Sequence, residues 1–268
     1  MRIALVSTLA TTVRPGGAGS VEGLVWLLSR ELTRLGHNVT VFGAAGSETH
    51  GAFVATLPGP YATAGSPDDW QLCEWINLCR AVERSGEFDV LHSHVYLWGI
   101  PLERMARPPM VHTLHVLPTE NEERLWSMEP DACVTAISRY QWSEFPHRRP
   151  AAIIPHGVDV AQFTFRPQAE DYLCFLGRFT RGKGPLLAIA TARSLGIRLL
   201  LAGPPTPYFR AHVEPLVDGR FVEYVGPVSS SRRDEFLRGA RALLYPIQEP
   251  EPFGLVQIEA MMCGTPVV

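Results

Sequence analysis

No apolar run in this chain approaches the roughly 20 residues that a membrane-spanning helix needs, so no such helix is expected. Charge of one sign is also lacking. Lys and Arg number 24 against 27 Asp and Glu, interspersed, for a net charge of −3. No whole-surface field then favours nucleic acid or an anionic membrane, and any phosphate binding must be local. Cysteine is sparse: Cys73, Cys79, Cys133, Cys174 and Cys263 are odd in number, scattered, and show no Cys-x-x-Cys spacing. That pattern predicts buried reduced thiols rather than a disulfide framework or a zinc site. The apolar start, Met1 to Val6, stops at Ser7, and the turn-forming Pro15-Gly16-Gly17 follows, so a signal peptide is not expected. Together these absences predict a cytoplasmic globular protein without a nucleic-acid partner, with peripheral membrane contact left open. Its 268 residues, 46% hydrophobic, suffice for one large or two ordinary domains.

What is present is an alternation of short apolar runs and helical periodicity. Arg2 to Val6 reads as a buried strand, and a loop with Gly16, Gly17 and Gly19 follows it. Val21, Leu24, Val25, Leu28, Leu32 and Leu35 then recur at helical spacing until Gly36, and Asn38 to Phe42 forms the next strand. A strand, glycine loop, helix, strand unit raises dinucleotide binding. The spacing Gly17-x-Gly19-x-x-x-Gly23 misses that fingerprint, and Gly43-Ala44-Ala45 stands where an acidic ribose ligand would be needed. Pro67-Asp68-Asp69 is a candidate cap for a helix carrying Leu72, Trp75, Ile76, Cys79 and Val82.

Phe88 to Leu91 and Met110 to Leu114 read as further strands with His92, His94, His112 and His115 at or near their ends. Ligands of open α/β sheets bind at such carboxyl ends. A hydrolytic metal site would want two or three of these histidines with a carboxylate, and Glu120, Glu122 and Glu123 follow. Strand alternation puts His92 and His94 on one face but His112 and His115 on opposite faces, which weakens a four-ligand cluster. Asp131 to Ile137 and Ala151 to Pro155 complete the strands of the first half. Arg166-Pro167-Gln168-Ala169-Glu170 breaks the rhythm as a linker.

In the second half Tyr172 to Leu176 runs into Gly177-Arg178-Phe179-Thr180-Arg181-Gly182-Lys183-Gly184, before a helix from Pro185 to Leu195. Cations among glycines suit a diphosphate, because glycine admits close approach and the cations neutralise charge; a solvated basic turn is the plain alternative. It is not a P-loop, since Gly184 stands where a hydroxyl should follow Lys183. Three more strands follow, Arg198 to Ala202, Phe221 to Val225 and Ala242 to Pro246. The helix before the last is expected to open with a Ser231-x-x-Asp234 capping box. After Pro252 the pattern turns helical, so a helix is expected to start near Phe253 or Gly254. The N–H groups of its first turn would form a phosphate site. Glu251 stands before that turn and Glu259 lies eight residues on, roughly 12 Å along the axis at about 1.5 Å per residue. A buried Glu259 would need donors such as a ribose diol; two solvated surface glutamates are the alternative.

The two glutamates, with Phe253-Gly254 after the first and Gly264-Thr265-Pro266-Val267 closing the segment, resemble the donor-site signature of retaining glycosyltransferases of the GT-B fold, glycosyltransferase family 4 in particular. Gly177-Arg178 with Lys183-Gly184, the glycine loop before Leu35-Gly36-His37, and His156-Gly157-Val158-Asp159 are similar to three other signatures of that family. The resemblance implies an α/β chain of two Rossmann-like parallel-sheet domains facing across a cleft. Residues 1–165 would be the acceptor side and 166–268 the nucleotide-sugar side. The latter is expected to be incomplete, since the family continues beyond the strand that starts at Pro266. By the same resemblance Glu251 contacts the sugar hydroxyls, the amides of Phe253, Gly254 and Leu255 the phosphates, and Glu259 the ribose. Gly177, Arg178 and Lys183 hold the diphosphate, Gly16 and Gly17 bring backbone close to the donor, and His115 lies beside the reacting sugar, with His94 a weaker candidate in the acceptor cleft. The catalytic set so implied is His115, Arg178, Lys183 and Glu251. The donor would be a UDP- or GDP-linked sugar, the acceptor a sugar, lipid or small molecule, with no cofactor and no metal. A nucleotide-binding module without transfer, or a nucleotide-sugar epimerase or hydrolase on the same fold, are the other readings.

Overall fold

A computed structural model describes residues 1–16, 20–62, 69–143 and 148–268. Gly17 and Gly19, and Pro67 and Asp68 of the expected helix cap, lie outside these. The chain divides into two compact units, Met1–Gly157 and Val158–Val268.

The first unit contains β1 (Arg2–Val6), α1 (Ser20–Arg34), β2 (Asn38–Ala44), β3 (Ala52–Leu57), α2 (Trp70–Glu83), β4 (Val90–Ser93), β5 (Met110–Thr113), α3 (Glu120–Met128), β6 (Cys133–Ala136), α4 (Arg139–Ser143) and β7 (Ala152–Ile153). The strands form one sheet in the order β3-β2-β1-β4-β5-β6-β7, and every pairing is parallel. Pleat alternation explains why the strands read as unbroken apolar runs. Along β1, Ala4 and Val6 pack with Phe42, Leu78 and Leu91. Ile3 and Leu5 point to the other face, with Val25, Val39 and Val41. Helix α2 is capped by Asp69, whose Oδ1 accepts from Gln71 N at 3.0 Å. The expected strand at Phe88 starts at Val90 instead, because Ser85–Glu87 forms a 3₁₀ turn that Phe88 terminates.

The second unit holds β8 (Tyr172–Leu176), α5 (Pro185–Leu195), β9 (Arg198–Ala202), β10 (Val222–Gly226), α6 (Ser230–Arg238), β11 (Ala242–Leu243) and α7 (Leu255–Met262). Its sheet is also parallel, in the order β10-β9-β8-β11. Leu173 and Phe175 of β8 pack with Ala188, Ile189 and Ala192 of α5. Cys174 and Leu176 face Leu237, Ala260 and Cys263 of the α6–α7 side. Strand β11 is shorter than the apolar run Ala242 to Pro246. Val267 makes a parallel bridge to Leu243, and Leu243 N donates to Pro266 O at 2.8 Å. Ser231 of the expected Ser231-x-x-Asp234 box falls inside α6, whose N-cap position is Ser229, and Asp234 accepts from Thr164 N at 2.7 Å. That bond, and Arg166 N to Cys263 O at 3.0 Å, tie the connecting segment into the second unit. The division accordingly falls at Gly157–Val158, ahead of the 165/166 boundary expected from the Pro-containing linker. All five cysteines are free, with Cys73, Cys174 and Cys263 buried. Among the described residues no helix is long and apolar enough to cross a membrane.

Candidate active site

In the second unit, two connections and the contact of α6 with α7 supply two carboxylate–cation pairs. The turn between β8 and α5 carries Gly177, Arg178 and Lys183, and the stretch between β11 and α7 carries Glu251 and Gly254. Lys183 Nζ forms an ion pair with Glu251 Oε2, both side chains about three-quarters buried. Glycine is required where these segments close on each other. Gly184 has φ +68°, and a Cβ there would collide with the carbonyl oxygen of Pro246. Gln248 N donates to Gly182 O at 2.7 Å, stitching the two loops together. Lys183 Nζ also lies 5.8 Å from the centroid of the Tyr245 ring. Burial first, and the Glu251 charge second, push the Tyr245 phenol up to about 12. Arg178 is exposed, with no ion pair among the described residues.

Helix α7 starts at Leu255, with Gly254 as its N-cap at φ +84°, so the amides of the first turn follow a left-handed entry that a side chain would strain. Phe253, half-buried, precedes that entry. Glu259, one turn on, is only 7% exposed. Its Oε1 accepts from Arg233 of α6 at 2.7 Å, while Oε2 is buried with no hydrogen-bond partner among the described residues. Arg233 was not singled out in the sequence. It sits in Ser229-Ser230-Ser231-Arg232-Arg233-Asp234-Glu235, which reads as a solvated helix face, and only the approach of α6 to α7 assigns it a partner.

In the first unit the histidines gather where β4, β5 and β7 end. His94 Nδ1 is 2.9 Å from His115 Nε2, and His115 Nδ1 is 3.4 Å from His156 Nε2. The rings run edge to edge in near-parallel planes, with centroids 5.2 Å apart for His94 and His115 and 5.1 Å apart for His115 and His156. The His92 ring packs tilted against His94, centroids 4.2 Å apart, and bonds Thr113 Oγ1 at 2.7 Å. Burial is the leading cause that pushes His92 and His156 down to about 4, and it holds His94 and His115 well below the usual imidazole range. His112 does not join them. It lies against Gly99 and donates to Glu103 at 2.8 Å, a structural anchor for the turn at Ile100–Met105. The imidazoles are linked edge to edge in a row, and among the described residues no group of three or more His, Cys, Asp or Glu is placed to hold a metal. His156, legible in the sequence only as part of a turn, completes the row. Gly16 sits in a turn at φ +56°.

Two buried carboxylates lie beneath the segment that follows β1. Glu74 Oε1 accepts from Leu9 N at 2.9 Å, and Glu22 Oε1 from Thr11 N at 3.0 Å. Burial raises both, Glu74 to about 7. Neither was singled out, because a Glu on a helix is ordinarily solvated.

The family description Glycosyltransferase Family 4 matches residues 18–162, more than half of the chain. The chain belongs to glycosyltransferase family 4. The description Glycosyl transferases group 1 matches residues 160–268 of this family 4 chain. Similar curated proteins include the D-inositol 3-phosphate glycosyltransferase of Mycolicibacterium smegmatis, 28% identical over all of this chain and 75% of that protein. The enzyme of the same name from Mycolicibacterium gilvum is 27% identical over all of this chain and 74% of its own length. Among solved structures, AviGT4, a glycosyltransferase involved in avilamycin A biosynthesis, aligns with TM-score 0.73 at 28% identity, over 99% of this chain and 77% of that one. Sucrose-phosphate synthase from Thermosynechococcus elongatus aligns with TM-score 0.79 at 21% identity, over 99% and 80%. Anabaena HepE, solved with UDP and glucose, aligns at 0.71 and 19%, over 100% and 80%. The fold is therefore that of GT-B glycosyltransferases, and family 4 membership makes the chain a glycosyltransferase by class.

Proposed function

We propose that the protein transfers a sugar from a nucleotide diphosphate sugar, with retention of configuration. The second unit would bind the donor. The observation that carries this reading is the arrangement of Glu259. One carboxylate oxygen is held by Arg233, and the other is buried without a partner among the described residues, one turn beyond a helix start at Gly254. A buried lone oxygen is costly unless a donor meets it, and a ribose hydroxyl supplies one. The phosphates would then sit at the amides of Phe253, Gly254 and Leu255 and at the backbone of Gly177, with Arg178 and Lys183 as fixed cations. Arg178, exposed and without an ion pair among the described residues, is open to such a ligand. Lys183 is shared: without donor it neutralises Glu251, and with donor it would turn to phosphate, freeing Glu251 for the sugar hydroxyls. In retaining transfer the leaving phosphate takes the acceptor proton, so the site's task is to stabilise charge, not to supply a base. The UDP and glucose held by the HepE neighbour are in keeping with such a donor.

Calorimetric titration with UDP, GDP and ADP, alone and as sugar conjugates, tests the assignment. Glu259→Ala and Arg233→Ala should each weaken the bare nucleotide, by about tenfold for one lost contact. Glu251→Gln should leave bare-nucleotide affinity unchanged or strengthen it up to about fivefold, since it releases Lys183 from a partly exposed pair. It should cost recognition of the sugar. Equal losses of bare nucleotide in Glu259→Ala and Glu251→Gln would reject the division of roles.

A further inference from the structure

The histidine row in the first unit constrains its own protons. Burial keeps His94, His115 and His156 neutral at physiological pH, so each ring carries one N–H and one lone pair. Two hydrogen bonds run in series through three such rings, His94 Nδ1 with His115 Nε2 and His115 Nδ1 with His156 Nε2. Only two proton arrangements satisfy both contacts. In one, all three rings carry the proton on Nδ1, and the bonds run from His94 to His115 to His156. In the other, all three carry it on Nε2 and both bonds reverse. Any mixed set places N–H against N–H, or lone pair against lone pair, across one contact.

The buried end of the row selects between them. His94 Nε2 is inaccessible and has no hydrogen-bond partner among the described residues. A proton there would be an orphaned buried donor, which folded proteins avoid more strictly than an unfilled lone pair. Bonds in series also polarise one another, so the choice made at His94 is passed along the row.

We propose that His94 and His156 are positioning residues that hold His115 in its Nδ1–H form, the three rings making one chain of like tautomers. Both nitrogens of His115 are then committed to other imidazoles. The ring meets substrate as an oriented wall and not as a proton acceptor. This role rests on the glycosyl-transfer reading, in which no protein base is needed; the tautomer assignment does not depend on it.

Two-bond ¹⁵N–¹H correlation on the full chain labelled with ¹⁵N-histidine reads the tautomers directly. At pH 7, three of the nine histidines should show a protonated Nδ1 and a bare Nε2. They are assigned by their loss in His94→Phe, His115→Phe and His156→Leu. An Nε2–H signature at any of the three overturns the proposal. The first substitution is at a buried ring and the second breaks the row at both contacts, so the activity arm uses His156. With a nucleotide sugar that the wild type turns over, His156→Leu should lower turnover about tenfold, the loss of one orienting hydrogen bond. His156→Asn, whose side-chain oxygen accepts from His115 Nδ1–H, should return it to within about threefold. Wild-type turnover in His156→Leu would remove the positioning role. Should no nucleotide sugar be turned over by the wild type, the transfer reading fails, while the tautomer spectrum still decides the chain.

Discussion

Glu74→Gln should make the protein more stable at pH 8 and change it much less at pH 5. Glu74 is fully inaccessible on α2 and is pushed from its ordinary 4.5 to about 7, by burial first and with the Glu22 charge adding to it. Its hydrogen bond from Leu9 N favours the ionised form but does not cancel that cost. A raised carboxyl means that between about pH 4.5 and 7 the folded chain binds a proton that the unfolded chain has released. Stability from this group is therefore present at low pH and lost as pH rises through 7. At roughly 1.4 kcal/mol per pH unit the full cost is about 3 kcal/mol above pH 8. Glutamine keeps a carbonyl oxygen for Leu9 N and never ionises. Relative to wild type it should gain about 2–3 kcal/mol between pH 5 and pH 8, or roughly 5–10 °C in the melting temperature of a unit of this size. Differential scanning calorimetry of both proteins at the two pH values measures it, and the pH-independent effects of the substitution cancel in the comparison. An equal Tm difference at pH 5 and pH 8 would show that Glu74 is solvated or ordinarily titrating, and would refute the argument.

Arg178→Ala and Lys183→Ala should each lower turnover by about a hundredfold or more, about 3 kcal/mol for a preorganised contact to developing charge, while changing donor affinity much less. Arg178→Lys should not fully restore it, because a point charge does not reproduce the planar fork. Steady-state kinetics decide this, and turnover within about threefold of wild type in both alanine variants would make the basic turn a solvated loop. Nucleotide affinity measured by calorimetry should survive EDTA, the cations of the basic turn serving in place of Mg²⁺. Loss of binding that Mn²⁺ or Zn²⁺ restores would bring the histidine row forward as a metal site instead.

The order of strands and helices was written in local sequence, because a strand buried on both faces must be apolar throughout and a helix over it must be apolar on one stripe. Tyr172 to Leu176, and Arg2 to Val6, could hardly be anything else. Ala52 to Leu57 escaped notice, as it is a part-exposed edge strand with a weak pattern. Glycines at Gly184 and Gly254 marked close approaches, since only they take φ +68° and +84° without strain. Motif spacing likewise drew attention to Lys183, Glu251, Glu259 and His115. It could not say what each one faces. The Lys183–Glu251 pair, Arg233 behind Glu259, and His94 and His156 on either side of His115 join residues tens of positions apart. The burial that lifts Glu74 depends on the packing of α2 against the segment after β1, which no local pattern encodes. Charge and proton placement are set by distance and desolvation in three dimensions, and a one-dimensional pattern carries neither.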